Sequence, residues 1–125
     1  MNRDINKILN AYLCCALWSS LDDNDENFDS NYSATDFTEN FINKSVADIN
    51  HFLKLVDDAN LTESLKQWDD EQIGHDLWLT RNGHGSGFWD RNFKDGDEIA
   101  DLVGVGTDFM EINLYATDDD KIDGE

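Results

Sequence analysis

Two histidines and two aspartates in the second half of the chain are the residues best suited to chemistry. They are His75, Asp76, His84 and Asp90. A histidine oriented by a carboxylate can act as a general base near neutral pH, and Ser86 beside His84 would be the corresponding nucleophile. Imidazole and carboxylate groups also bind zinc and other divalent ions. This stretch is therefore the candidate for an enzyme or metal site.

The surrounding pattern is incomplete for each of these chemistries. Ser86 lies between two glycines and lacks the strand–turn–helix context of a nucleophile elbow. The spacing of His75 and His84 matches no compact metal-ligand motif, and the acidic run 118–120 lacks the alternating acids and distal glutamate of a calcium loop. We therefore predict no cofactor. A small enzyme or a metal-binding protein that uses these residues remains the alternative.

The element that must position these groups is predicted to be a central β-hairpin over residues 74–91. This stretch reads GHDLWLTRNGHGSGFWDR, and its aromatic and apolar residues favour strands on either side of a turn. The turn is indicated by an Asn-Gly pair, in which both residues tolerate positive φ. The residues expected to build the hairpin are Trp78, Asn82, Gly83, Gly85, Gly87 and Trp89.

The rest of the chain predicts helices followed by a strand, in a single domain over residues 1–125. Apolar residues at helical spacing indicate a helix over residues 3–21 and a second helix that Ser45 caps and that ends by Asn60. An acidic loop over residues 22–36 separates them. Short helices are expected after Thr62 and over residues 97–103, then a strand over 109–115 and a turn at 118–121. The predicted class is α+β, with the N-terminal helices packed on a small antiparallel sheet built on the central hairpin.

The segment 74–91 resembles a motif of small phage and mobile-element proteins of unknown function, whose typical form is GHDFWLTRNGHGAGFWDR. A weaker similarity extends upstream through the helix after Ser45 and downstream through the last strand. Residues 1–44 carry no resemblance. The resemblance implies a viral or mobile-element setting inside a bacterial cell, and it implies no particular activity.

The charge of the chain is its most unusual property. There are 28 acidic residues against nine lysines and arginines, which gives a net charge of -19 at pH 7. Such a chain repels the phosphates of nucleic acid and the head groups of an anionic membrane, so direct binding to either is not expected. It favours a basic protein as the partner.

Clustered carboxylates on a folded surface would imitate the phosphates that a DNA-binding protein recognises. Together with the phage-like motif, this predicts an anti-restriction or anti-defence protein that binds and inhibits a basic nucleic-acid-handling protein in the host cytoplasm, with DNA mimicry as the mechanism. Other protein-binding roles, and a surface that is merely well solvated, remain open. The best-grouped candidates for partner binding are Asp22, Asp23, Asp25, Glu26, Asp69, Asp70 and Glu71.

The adjacent cysteines Cys14 and Cys15 are expected to be free thiols, because neighbouring cysteines rarely form a disulfide with each other. At least one of them should be buried, since consecutive residues on a helix point about 100° apart. The sequence contains no run of 18 apolar residues, so no transmembrane helix is predicted. The N-terminus lacks the continuous apolar region of a signal peptide.

Overall fold

Five α-helices and one two-stranded antiparallel sheet make up the regular structure of residues 3–104 and 106–125, which are described by a computed structural model. The helices are α1 (Ile5–Ser19), α2 (Glu39–Asp58), α3 (Thr62–Leu65), α4 (Asp70–Arg81) and α5 (Gly96–Asp101). The strands are β1 (Leu114–Ala116) and β2 (Ile122–Gly124). Single turns of 3-10 helix occur at Phe28–Ser30, Ala34–Asp36 and Phe88–Arg91.

The centre of the fold is the packing of α1 against α4. Helix α1 begins after Asp4, whose carboxylate accepts hydrogen bonds from the amides of Asn6 and Lys7. Gly74 lies where the two helices cross. A Cβ atom at this position would overlap the carbonyl oxygen of Ile8 and lie 2.8 Å from the amide nitrogen of Tyr12. The absence of a side chain at Gly74 therefore allows the two backbones to approach closely.

The prediction of a central β-hairpin over residues 74–91 is wrong, because most of its first half belongs to helix α4. The helix is set by a capping box, in which the Asp69 side chain accepts from the Gln72 amide at 2.7 Å and the Gln72 side chain accepts from the Asp69 amide at 2.9 Å. Ile73, Leu77 and Trp78 then recur at helical spacing and are fully buried. The strand propensity of the Trp-Leu-Thr run is overridden by this cap and this packing.

The residues expected in the hairpin take other roles. Trp78 lies in α4, and Asn82 is the C-cap residue of that helix. Gly83 and Gly85 have positive φ angles of 64° and 77° in the loop that follows, so the predicted Asn-Gly turn is present but ends a helix. Gly87 and Trp89 lie at the 3-10 turn Phe88–Arg91.

The sheet lies elsewhere in the chain. Strands β1 and β2 pair antiparallel with the register Leu114↔Gly124, Tyr115↔Asp123 and Ala116↔Ile122. The predicted strand 109–115 overlaps β1 only at its end, and the predicted turn at 118–121 connects the two strands. The class is α+β, as predicted, in the sense of a mostly helical chain with a small antiparallel sheet.

The predicted helices occur near their expected positions in the chain, but their first and last residues differ. The second helix begins at Glu39 and is capped by Thr38, whose hydroxyl accepts the Phe41 amide. Ser45 is not its cap but a buried residue within α2, where its hydroxyl donates to the Phe41 carbonyl at 2.8 Å. The short helix over 97–103 is present as α5. The acidic loop contains the first two 3-10 turns.

Aromatic rings connect α2 to the turn Phe88–Arg91. The Phe88 ring is fully buried and stacks on Phe52 of α2 at 5.2 Å between ring centres. The Trp68 ring meets Phe88 edge-on at 5.7 Å and Phe93 at 4.9 Å. The turn Phe88–Arg91 is therefore held against the core by its first residue. Within the described residues, no helix is long and apolar enough to cross a membrane.

Candidate protein-binding surface

Asp76 is a buried carboxylate with a full set of partners. Its side chain accepts two hydrogen bonds from Arg91, from Nε at 2.6 Å and from Nη2 at 3.1 Å. The indole nitrogen of Trp68 donates a third at 2.8 Å. Only 3% of Asp76 is exposed. The pair joins α4 to the 3-10 turn, and its role is to hold the fold.

Arg81 fills a similar role on the other side of α4. It is 5% exposed, and its guanidinium donates to Asp48 of α2 at 2.6 Å and to the Tyr12 hydroxyl at 3.1 Å. Nε and Nη2 both donate to the carbonyl oxygen of Met110, at 3.0 and 2.8 Å. The side chain also lies 5.4 Å from the centre of the Phe109 ring. Arg81 thereby joins α1, α2, α4 and the segment before β1.

Arg3 completes the set of arginines. Its guanidinium donates to the carbonyl oxygens of Leu65 and Trp68, both at 2.8 Å, and to the Asp70 carboxylate at 3.1 Å. Each of the three arginines is thus committed to an internal ion pair. Outside these three pairs there remain 25 of the 28 acidic residues, and six lysines are the basic side chains left to balance them. The ratio of acidic to basic side chains is therefore higher outside the three pairs than in the sequence as a whole.

The structure does not bring together the four residues proposed for catalysis or metal binding. Asp76 is turned inward to Arg91, and Asp90 accepts the backbone amide of Gly87 at 2.8 Å. His84 is exposed in the loop after α4, whereas His75 lies on α4 with its ring 6.3 Å from that of Trp18. Among the hydrogen bonds of the described residues, none joins either histidine to either acid.

No group of three or more histidine, cysteine or acidic side chains within residues 3–104 and 106–125 is arranged to hold a metal ion. Ser86 is an exposed loop residue between Gly85 and Gly87. The geometry therefore supplies no observation in favour of the enzyme or metal alternative.

Two acidic segments that are distant in sequence line one concavity. It has a volume of about 500 Å³ and is lined by Asp22, Asp23 and Asn24 of the acidic loop, by Phe28, Asn31 and Tyr32, and by Ala116 and Asp120. We call it the acidic cleft. The Tyr32 hydroxyl donates to the Asp120 carboxylate at 2.7 Å and so connects the acidic loop to the β1–β2 turn.

The titration of Tyr32 reflects this concentration of negative charge. Its pKa is raised above the usual value, first because the hydroxyl donates to Asp120, which favours the protonated phenol. Desolvation and the repulsion of a phenolate by Asp120, Asp36 and Asp22 act in the same direction. The Tyr32 hydroxyl therefore holds its proton more firmly than a free tyrosine does, because of the neighbouring carboxylates.

The seven candidate acids divide into three with a structural role and four without one. Asp22 accepts the backbone amides of Asn24 and Glu26 and so shapes the loop. Asp69 caps α4, and Asp70 pairs with Arg3. The other four are exposed: Asp23, Asp25, Glu26 and Glu71. They are the candidates whose charge can be altered with least effect on the fold.

Asp120 lines the acidic cleft, although the sequence predicted only that it lies in a turn. Its contribution to the cleft depends on a contact with Tyr32, which lies 88 positions earlier. The signal in the sequence was a tyrosine inside an otherwise polar, acidic loop. That signal indicates that the tyrosine has a packing partner but does not identify it.

Comparisons with protein-family models, with curated proteins and with solved structures found no match for this chain.

Proposed function

We propose that this protein is a phage-encoded acidic protein that binds a basic, nucleic-acid-handling protein of the host cytoplasm through its clustered carboxylates. The observation that carries the proposal is the excess of exposed acids over cations, which grows once the three arginines are paired internally. The phage setting rests on the resemblance of residues 74–91 to phage and mobile-element proteins.

The physical basis is competition with DNA. A duplex presents a dense row of negative charges, and a protein that binds it carries a groove of lysines and arginines. Asp23 and Asp120 line the acidic cleft, and Asp25 and Glu26 are exposed in the same loop as Asp23. These carboxylates would meet the same groove. Binding would neutralise charges that repel one another in the free protein, so complementarity adds to both association rate and specificity.

The test is a pull-down from a bacterial lysate with the intact protein as bait, at 50 mM and at 500 mM NaCl. Screening shortens the reach of exposed charges from roughly 14 Å to about 4 Å over this range. We expect a basic partner that is captured at low salt, is lost at high salt and is displaced by duplex DNA. A partner whose capture does not depend on salt, or that DNA fails to displace, would contradict the mimicry mechanism.

Two sets of variants with equal charge loss locate the contact. The first neutralises the acidic loop with Asp23→Asn, Asp25→Asn and Glu26→Gln. The second neutralises three other exposed acids with Glu39→Gln, Asp108→Asn and Glu111→Gln. We expect the loop set to weaken binding of the captured partner at least tenfold and the second set to weaken it less than threefold. Equal losses would assign the binding to net charge rather than to the acidic loop.

A further inference from the structure

A second concavity lies where the turn Phe88–Arg91 meets α5. Its volume is about 360 Å³, and its lining includes Thr80, Trp89, Asp97, Ala100 and Asp101. It shares no lining residue with the acidic cleft. Its walls combine one indole ring with two carboxylates, and we call it the Trp89 pocket.

The Trp89 ring is held in place by the glycine that precedes the turn. A Cβ atom at Gly87 would lie 2.7 Å from Cζ3 of Trp89 and would overlap the Thr80 hydroxyl. The indole therefore packs directly on the Gly87 backbone. It nevertheless remains 38% exposed, whereas Trp68 and Trp78 are buried. The turn thus presents a preformed aromatic surface to solvent.

Helix α5 places two carboxylates beside this ring. A Cβ atom at Gly96 would lie 2.5 Å from the Phe88 carbonyl oxygen, so the first turn of α5 packs against the backbone that carries Trp89. Asp97 and Asp101 are four positions apart and share one face of the helix. Both are exposed, and neither takes part in an ion pair within the described residues. Their mutual repulsion would be relieved by a cation between them.

We propose that the Trp89 pocket receives the guanidinium group of an arginine side chain from a basic protein partner. A guanidinium is planar, so it stacks on an indole face, and its N–H groups reach carboxylates at the same time. The compact ammonium of lysine cannot stack in this way. A neutral ligand would leave both carboxylates uncompensated, and an anion would be repelled.

This inference extends the proposed function by naming the side chain that a partner would present, and it uses a different part of the surface. It can be tested without the partner. The probe is N-acetyl-arginine amide, titrated into the full-length, ¹⁵N-labelled protein at low salt. The matched ligands are N-acetyl-citrulline amide, which has nearly the same shape without the charge, and the α-acetylated lysine amide.

We expect saturable shifts of the Trp89 indole N–H signal and of the α5 amides with the arginine probe. The citrulline probe should cause no saturable shift, and the lysine probe should bind at least threefold more weakly. Equal binding of arginine and citrulline probes, or of arginine and lysine probes, would overturn the assignment to a guanidinium.

Variants separate the pocket from the general negative charge. Trp89→Leu, and the pair Asp97→Asn with Asp101→Asn, should each weaken the arginine probe at least tenfold. The pair Asp118→Asn with Asp119→Asn removes the same charge from exposed residues outside the pocket, and it should change binding less than twofold. Equal losses in the two aspartate pairs would refute a specific binding site at the Trp89 pocket. This comparison remains decisive even if Trp89→Leu is poorly folded.

The two proposals fail in different ways. A host partner whose binding depends on the acidic loop but not on Trp89, Asp97 or Asp101 would leave the proposed function standing and contradict the pocket's role in it. A pocket that binds the arginine probe in a protein with no salt-sensitive host partner would support the pocket and contradict the proposed function.

Discussion

Arg91 donates two hydrogen bonds to the carboxylate of Asp76, and this pair connects the middle of α4 to the turn that carries Trp89. Asp76 is almost fully buried, whereas Arg91 reaches the surface. Removal of the arginine would leave a buried carboxylate with only the Trp68 indole as its partner. Loss of one partner of a buried pair is costly, because the desolvated charge that remains is no longer compensated.

We therefore expect Arg91→Ala to lower the free energy of unfolding by about 3–5 kcal/mol. Urea denaturation followed by circular dichroism measures this difference. Lys94→Ala is the matched control, since Lys94 is an exposed cation three positions away, and it should change stability by less than about 0.5 kcal/mol. Similar losses in the two variants would show that Asp76 does not depend on Arg91.

Gly74→Ala should destabilise the protein although it replaces glycine by alanine inside a helix. In an exposed helix this change stabilises by about 1 kcal/mol. Here the new Cβ atom would collide with the Ile8 carbonyl and the Tyr12 amide, so α1 and α4 must separate. Overpacking of this kind typically costs about 1–3 kcal/mol. Thermal melting of the variant decides the sign, and an increase in Tm would contradict the close crossing of the two helices.

Stability should fall in alkali because two buried groups resist ionisation. Burial raises the pKa of the Cys15 thiol from 9.0 to about 12 and that of the Tyr12 hydroxyl from 10.0 to about 12. The folded protein therefore holds protons that the unfolded chain releases. Their contribution is fully present below pH 9 and is lost as the pH rises from about 9 to about 12.

Urea denaturation at a series of pH values tests this dependence. Cys15→Ala should reduce the slope of stability against pH between 9 and 10, where the thiol is the first of the two groups to ionise in the unfolded chain. Cys14→Ala is the control, because Cys14 is only partly buried. A slope unchanged by Cys15→Ala would show that the buried thiol does not contribute.

Salt should raise the melting temperature of this protein. A net charge of -19 repels itself, and most of the carboxylates are exposed. Raising NaCl from 10 mM to 150 mM shortens the screening length from about 30 Å to about 8 Å, and so weakens this repulsion. Calorimetry at the two concentrations measures the shift. A Tm that decreased with salt would mean that attractive pairs, such as Lys54 with Asp58, outweigh the repulsion.

Local signals account for the parts of the fold that could be predicted from the sequence. The apolar repeat of α1, the short helix α5 and the turn at 118–121 are each specified within a few residues. Helix α4 was predicted wrongly because its Trp-Leu-Thr run and the Asn-Gly pair after it carry strand and hairpin propensities. The opposing local signal was the Asp69–Gln72 capping box, and tertiary burial of Ile73 and Leu77 adds to it.

The candidate sites were less predictable, because they depend on contacts across long sequence separations. Clustering in the sequence identified Asp22 and Asp23, but the junction with Asp120 exists only through Tyr32. Clustering also ranked Asp69 and Asp70 with the partner-binding acids, although one caps a helix and the other pairs with Arg3. Composition gives the number of charges, and the fold determines which of them already cap a helix or form an ion pair.

The small size of the sheet bears on how the protein behaves in concentrated solution. Strands β1 and β2 span three residues each, and β2 also bridges to Phe37, two residues before the start of α2. A strand edge this short offers a neighbouring molecule little backbone to extend, and the carboxylates of the connecting turn repel a second copy. Aggregation by strand addition should therefore be disfavoured.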